Sequence, residues 1–202
     1  VLLVAPKEPE RNAQSIATYD YADSAPPART GEPAPSPLEG PAADPRVAPS
    51  PSKVALPVPE GYQRVAGPGG IVTTIPDGWI VTRSSGPGAM QATDPADPTR
   101  FIRYGGAPAP AVDLVRSHVD YERAFAATRQ RFQRLSLGTA TYHGVQAVDW
   151  EFEHDTAAGR LHVHSMYWRV AGTEYFLYAT STVERWAETA PVYRTMVENV
   201  TP

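Results

Sequence analysis

The stretch Tyr142-His-Gly-Val-Gln-Ala-Val-Asp-Trp-Glu-Phe-Glu-His154 decides the architecture. Val148, Trp150 and Phe152 alternate with Asp149, Glu151 and Glu153. A period of two puts the apolar set on one sheet face and the acids on the other. His143-Gly144 reads as a turn, as do Asp155 to Arg160 and Ala171-Gly172-Thr173. Connections this short join Phe132–Tyr142, Val145–His154, Leu161–Val170 and Glu174–Thr180 into an antiparallel meander.

Upstream of the meander, Leu114, His118, Tyr121, Phe125, Thr128 and Phe132 recur at helical spacing. They predict a helix opened by Pro110, ending near Arg131 and packing one face on a sheet. Before it, Ile71–Ile75 is β-branched at every position and stops at Pro76-Asp-Gly78. Trp79–Thr82, Ala89–Thr93 and Phe101–Tyr104 are three further strand segments. Downstream, Ser181 and Glu184 fit a capping box, and Pro191 is expected to open a renewed helix carrying Val192, Met196 and Val200. Four strands, a helix, four strands and a helix make an α+β fold: one mostly antiparallel sheet flanked by helices.

Composition divides the chain at residue 60. Of the 22 prolines, 13 lie in residues 1–60, while all four tryptophans and all five phenylalanines lie beyond. Residues 1–60 are therefore expected to be a disordered Pro/Ala-rich tether, and residues 61–202 a compact domain. At about 3.1 Å per residue, the segment from Ala25 to Pro59 would reach on the order of 100 Å when extended. Val1-Leu-Leu-Val-Ala5 is too short to span a bilayer and reads as the end of a membrane or signal segment lying upstream, the alternative being an arbitrary fragment end or a valine-coded start. The chain has no cysteine, which excludes disulfides and thiolate chemistry. Its net charge of -4 with scattered arginines excludes a nucleic-acid stripe.

Ile75-Pro76-Asp77-Gly78-Trp79 resembles the strand-turn signature of the Mog1/PsbP-like fold. Tyr142-His-Gly144, Ala147 and Trp150-Glu151-Phe152, with Glu174-Tyr-Phe-Leu-Tyr178 and Trp186, resemble extracytoplasmic domains of actinobacterial receptor-like serine/threonine kinases. The similarity covers residues 62–200. It implies a Mog1/PsbP-like α/β/α sandwich that follows a transmembrane helix and a Pro-rich linker. It also implies a binding or assembly module, with no catalytic constellation to carry over. Neither His-Arg-Asp nor Asp-Phe-Gly of a kinase occurs in the chain, so a kinase domain would lie upstream.

Two groups of residues stand out for chemistry. His162 and His164 leave one strand face, and a turn at Ala157-Ala158 would set Glu153 opposite His162 and Glu151 opposite His164. Two imidazoles and two carboxylates are a conceivable Zn²⁺ or Mn²⁺ set, set against plain cross-strand contacts on a half-exposed face. Tyr167, Trp168, Tyr175 and Tyr178 lie on adjacent strands. They are either core or, where a sheet end is uncovered, the wall of a peptide or glycan pocket. Asp149, Glu151 and Glu153 share a strand face without a cleft, and no Gly-x-Ser-x-Gly elbow surrounds Ser84-Ser85 or Ser165. No catalytic residue and no cofactor is assigned.

The expected function is recognition outside the cytoplasm by a membrane-anchored or cell-surface protein. Its partner would be another protein or a cell-envelope ligand, with no nucleic acid involved. The alternatives are a metal-dependent or hydrolytic enzyme on the His162/His164 face, and a structural module without ligand.

Overall fold

A computed structural model describes residues 57–84 and 88–201. Most of the expected tether and the segment Val1–Ala5 lie outside the described residues. The elements are β1 (Tyr62–Ala66), β2 (Val72–Pro76), β3 (Ile80–Arg83), β4 (Ala89–Thr93), β5 (Phe101–Pro108), α1 (Leu114–Ala126), β6 (Gln130–Tyr142), β7 (Val145–Thr156), β8 (Gly159–Val170), β9 (Thr173–Thr182) and α2 (Trp186–Glu198). Short 3-10 turns at Pro68–Gly70 and Val183–Arg185 link β1 to β2 and β9 to α2.

β3 to β9 form one antiparallel sheet in the order β3-β4-β5-β9-β8-β7-β6, so the meander forms as expected and β9 returns beside β5. The hairpin loops His143-Gly144 and Ala171-Gly172 hold both residues at positive φ. That is the two-residue turn whose twist matches the flanking strands, and glycine takes the second position without strain. The strand read at Ile71–Ile75 does not enter this sheet. It pairs with β1, a strand the composition did not signal, in a separate hairpin.

Helix boundaries differ from the sequence reading for local reasons. α1 begins after Asp113, whose carboxylate accepts the Arg116 backbone N–H at 3.0 Å, rather than at Pro110. It ends five residues short of the expected stop, where the Thr128 hydroxyl donates to the Phe125 carbonyl at 2.9 Å. Phe132, read as part of the helix stripe, stands on β6 and meets Phe125 edge-on across the gap. Ser181 is not an N-cap: it remains in β9, fully buried. Pro191 does not open a new helix but sits inside α2, exposed, where the loss of its N–H leaves the Ala187 carbonyl to water.

Strand alternation splits the core between the two faces. Ile102, Tyr104, Met166, Trp168, Tyr175, Leu177 and Ala179 pack under α2 residues Val192, Tyr193 and Met196, with Ile71, Ile75 and Trp79 of the β1–β2 region. Val148, Trp150, Phe152, Val163, Tyr167 and Phe176 pack on the other face with Leu114, Tyr121 and Phe125 of α1. The two helices thus lie on opposite sides of the sheet.

β4 and β5 approach so closely at Gly105 that a Cβ there would overlap the Gly88 carbonyl oxygen. Gly105→Ala is expected to destabilise at the upper end of the range of about 1–3 kcal/mol seen for overpacking. Urea denaturation of the variant checks this, and a neutral result would mean that the strands separate without cost.

Candidate functional site

The acid–histidine row forms in the expected register, with Glu151 paired to His164 and Glu153 to His162. His162 bonds both its directly opposed carboxylate and a diagonal one, while His164 bonds diagonally only. His162 meets Glu151 through Nε2 at 2.6 Å and Glu153 through Nδ1 at 3.1 Å, while His164 Nε2 lies 2.9 Å from Asp149. Arg160 adds contacts to Glu153 at 2.8 Å and Asp155 at 2.9 Å. α2 roofs the row: Trp186 stacks on His162 at 4.0 Å and Tyr193 lies 4.3 Å from His164. Among the described residues, no group of three or more His, Asp or Glu is arranged to hold a metal ion. The physical reason is pairing, because both ring nitrogens of His162 and the Nε2 of His164 are spent on carboxylates that a metal would need free.

Of the four aromatics, three are core. Trp168 is fully buried, and Tyr175 stacks on it at 5.7 Å under the α2 side. Tyr167 is buried on the opposite face against His118, with ring centres 4.0 Å apart. Trp168 and Tyr175 thus take the core alternative, since helix and hairpin together cover that side of the sheet.

Tyr178 alone is half-exposed, and it belongs to a site that sequence reasoning missed. β5 places Phe101 and Arg103 on the α1 side of the sheet, with Arg103 directly opposite Tyr178. Phe101 and Tyr178 stack at 6.1 Å with 19° between ring planes. The Arg103 guanidinium lies over both rings, 4.9 Å from Phe101 and 5.7 Å from Tyr178. Gln91 of β4 accepts Arg103 Nε at 2.8 Å, and its own amide donates to Thr93 at 3.0 Å. Among the described residues, the two Nη atoms of Arg103 make no hydrogen bond. The alternation of Phe101 and Arg103 was visible, but nothing local to β5 signals that Gln91 and Tyr178 flank them.

This flank is open because of an imbalance in cover. Seven strands span about 29 Å, whereas one helix is about 10 Å wide. On one face α2 and the β1–β2 hairpin share the load. On the other, α1 packs through Phe125 and Tyr121 on Trp150 and Phe152, over β7 and its neighbours. Thr82 and Ile80 of β3, the latter 56% exposed, border the uncovered region.

Burial also sets two histidines. Desolvation lowers the pKa of His118 and of His154 from the usual 6.5. A group whose folded pKa is depressed gives stability above its unfolded value that is lost as pH falls. The unfolding midpoint is therefore expected to drop as pH falls from about 6.5 toward 5. His154 packs among Phe125 and Phe152, so His154→Phe should flatten that slope. Urea midpoints at a series of pH values check it, and an unchanged slope would remove His154 from the account.

The sheet order, with one helix on each face, defines a class: this is a Mog1/PsbP-like domain. The chain belongs to the serine/threonine kinase C-terminal domain family, whose model matches residues 54–202, and is thus a kinase-associated accessory domain. Among solved structures it is similar to cyanobacterial PsbP (CyanoP) from Synechocystis sp. PCC 6803, with TM-score 0.56, 12% identity, and coverage of 76% of this chain and 97% of that one. A protein from Bacteroides thetaiotaomicron VPI-5482 gives TM-score 0.51 at 12% identity, covering 70% of this chain and 48% of that one. LpqN, involved in cell envelope biogenesis of Mycobacterium tuberculosis, gives TM-score 0.48 at 16% identity, covering 69% and 89%. No curated protein matches the chain.

Proposed function

We propose that this domain is the non-catalytic recognition module of a membrane-tethered serine/threonine kinase, held outside the cytoplasm by its Pro-rich tether. The observation that carries the reading is the uncovered flank bearing Phe101, Arg103 and Tyr178. A spacer would gain nothing from leaving stacked aromatics and an ordered arginine on an open sheet face, since both can be covered or replaced at little cost. The family supplies the association with kinases. No helix among the described residues is long and apolar enough to cross a membrane, so the reading places the membrane segment ahead of the tether.

The absence of native cysteine makes topology directly testable. Ala140 is exposed on β6, so Ala140→Cys introduces a single labelling site within residues 1–202, with the unsubstituted protein as the control for cysteines elsewhere. A membrane-impermeant maleimide is expected to label it in intact cells. Labelling only after lysis would overturn the extracytoplasmic assignment.

A further inference from the structure

We infer that the Arg103 flank binds a carboxylate carried on an apolar body; this rests on the recognition reading and names the chemistry of its ligand. Three features select that class. First, the guanidinium is already ordered: Gln91 fixes Nε, and the stacked rings of Phe101 and Tyr178 hold its plane. Such preorganisation removes the entropy cost that usually weakens a surface arginine. Second, with Nε occupied, Nη1 and Nη2 remain as a fork facing away from Gln91. Two parallel N–H donors match the two oxygens of a carboxylate.

Third, the surroundings set the charge and the body of the ligand. Thr82, Gln91, Thr93, Phe101 and Tyr178 share the flank and carry no charge, which leaves Arg103 as its one charge among the described residues. One cation without a backbone N–H nest suits a monoanion; a phosphate dianion calls for more positive charge. The ring faces beside the guanidinium offer apolar floor to the rest of the molecule. The metal-row residues play no part, being on the opposite face of the sheet.

The test is a titration of the full chain by amide and arginine-side-chain NMR with three probes of one shape: benzoate, benzamide and phenyl phosphate. Benzoate is expected to shift Gln91, Arg103 and Tyr178 saturably, and neutral benzamide to leave them unmoved. Arg103→Gln should weaken benzoate by roughly tenfold or more, as expected for a lost charged hydrogen-bond pair. Gln91→Ala, which frees Nε but keeps the charge, should weaken it less. The spectrum away from the flank reports whether each variant folds.

Equal response to benzamide, unchanged binding by Arg103→Gln, or tighter binding of phenyl phosphate than benzoate would each overturn the carboxylate assignment. None of these results bears on membrane topology, and maleimide labelling does not bear on them, so the two readings fail separately.

Discussion

Trp168→Ala is expected to lower the unfolding free energy by about 3–5 kcal/mol, the range for deleting a buried aromatic side chain. Trp168 is 0% exposed, stacked on Tyr175 and met edge-on by Tyr142 at 5.0 Å. Its removal leaves a cavity in the centre of the sheet, where flanking strands cannot collapse without breaking their ladders. Single domains have only about 5–15 kcal/mol to lose, so the variant should be close to unfolded at 37 °C. Trp168→Phe should cost less than half as much, because the indole N–H has no hydrogen-bond partner to forfeit. Chemical denaturation of the two variants separates the readings of this residue. A loss below about 1 kcal/mol for the alanine variant would mean an exposed indole and would restore Trp168 as a ligand floor.

The second large effect falls on Arg169. Its Nε donates to Glu174 at 2.7 Å, and another guanidinium nitrogen donates to the Val112 carbonyl at 2.6 Å. Glu174 is 2% exposed, and His118, 3.8 Å away, has its pKa lowered by burial. Arg169→Ala therefore takes its arginine from a buried carboxylate, and removing one partner of such a pair costs about 3–5 kcal/mol. The reverse change, Glu174→Gln, should cost less, since the partly exposed arginine side chain retains water. The double variant should recover part of the loss, because the buried carboxylate charge is gone together with its arginine. Hydrogen exchange should show the damage first at the start of α1, where the Val112 carbonyl is tied to the sheet through Arg169. Equal losses for both single variants would mean that desolvation of the carboxylate is not the governing cost.

Much of this was readable in the chain. The alternation Val148, Trp150, Phe152 against Asp149, Glu151, Glu153 placed each residue on its proper face, because side-chain direction in a strand is local. The register of Glu153 with His162 followed from a two-residue turn at Ala157-Ala158. The diagonal bonding did not follow. That His162 reaches Glu151 as well as Glu153 is a matter of side-chain conformation, and the ring that stacks on it, Trp186, comes from some 24 residues further along the chain. The failure at Pro191 has a similar cause: propensity disfavours proline in a helix, but packing of Val192, Tyr193 and Met196 outweighs one lost bond.

The candidate site shows the same division. Arg103 and Phe101 share a face by periodicity alone, yet Gln91 comes from a neighbouring strand and Tyr178 from one 75 residues later in the chain. Burial of Trp168 and exposure near Tyr178 both depend on where cover falls, and neither residue differs from the other in local pattern.

By itself, then, the sequence determined every strand but β1, the meander, the two helices and the alternation of faces along the meander strands, because periodicity and turn chemistry act over a few residues. Only the tertiary structure decided that β1–β2 would leave the sheet to share one face with α2, while α1 covered the other face alone. One helix is narrower than seven strands, and that shortfall of cover is the physical reason the Arg103 flank is open.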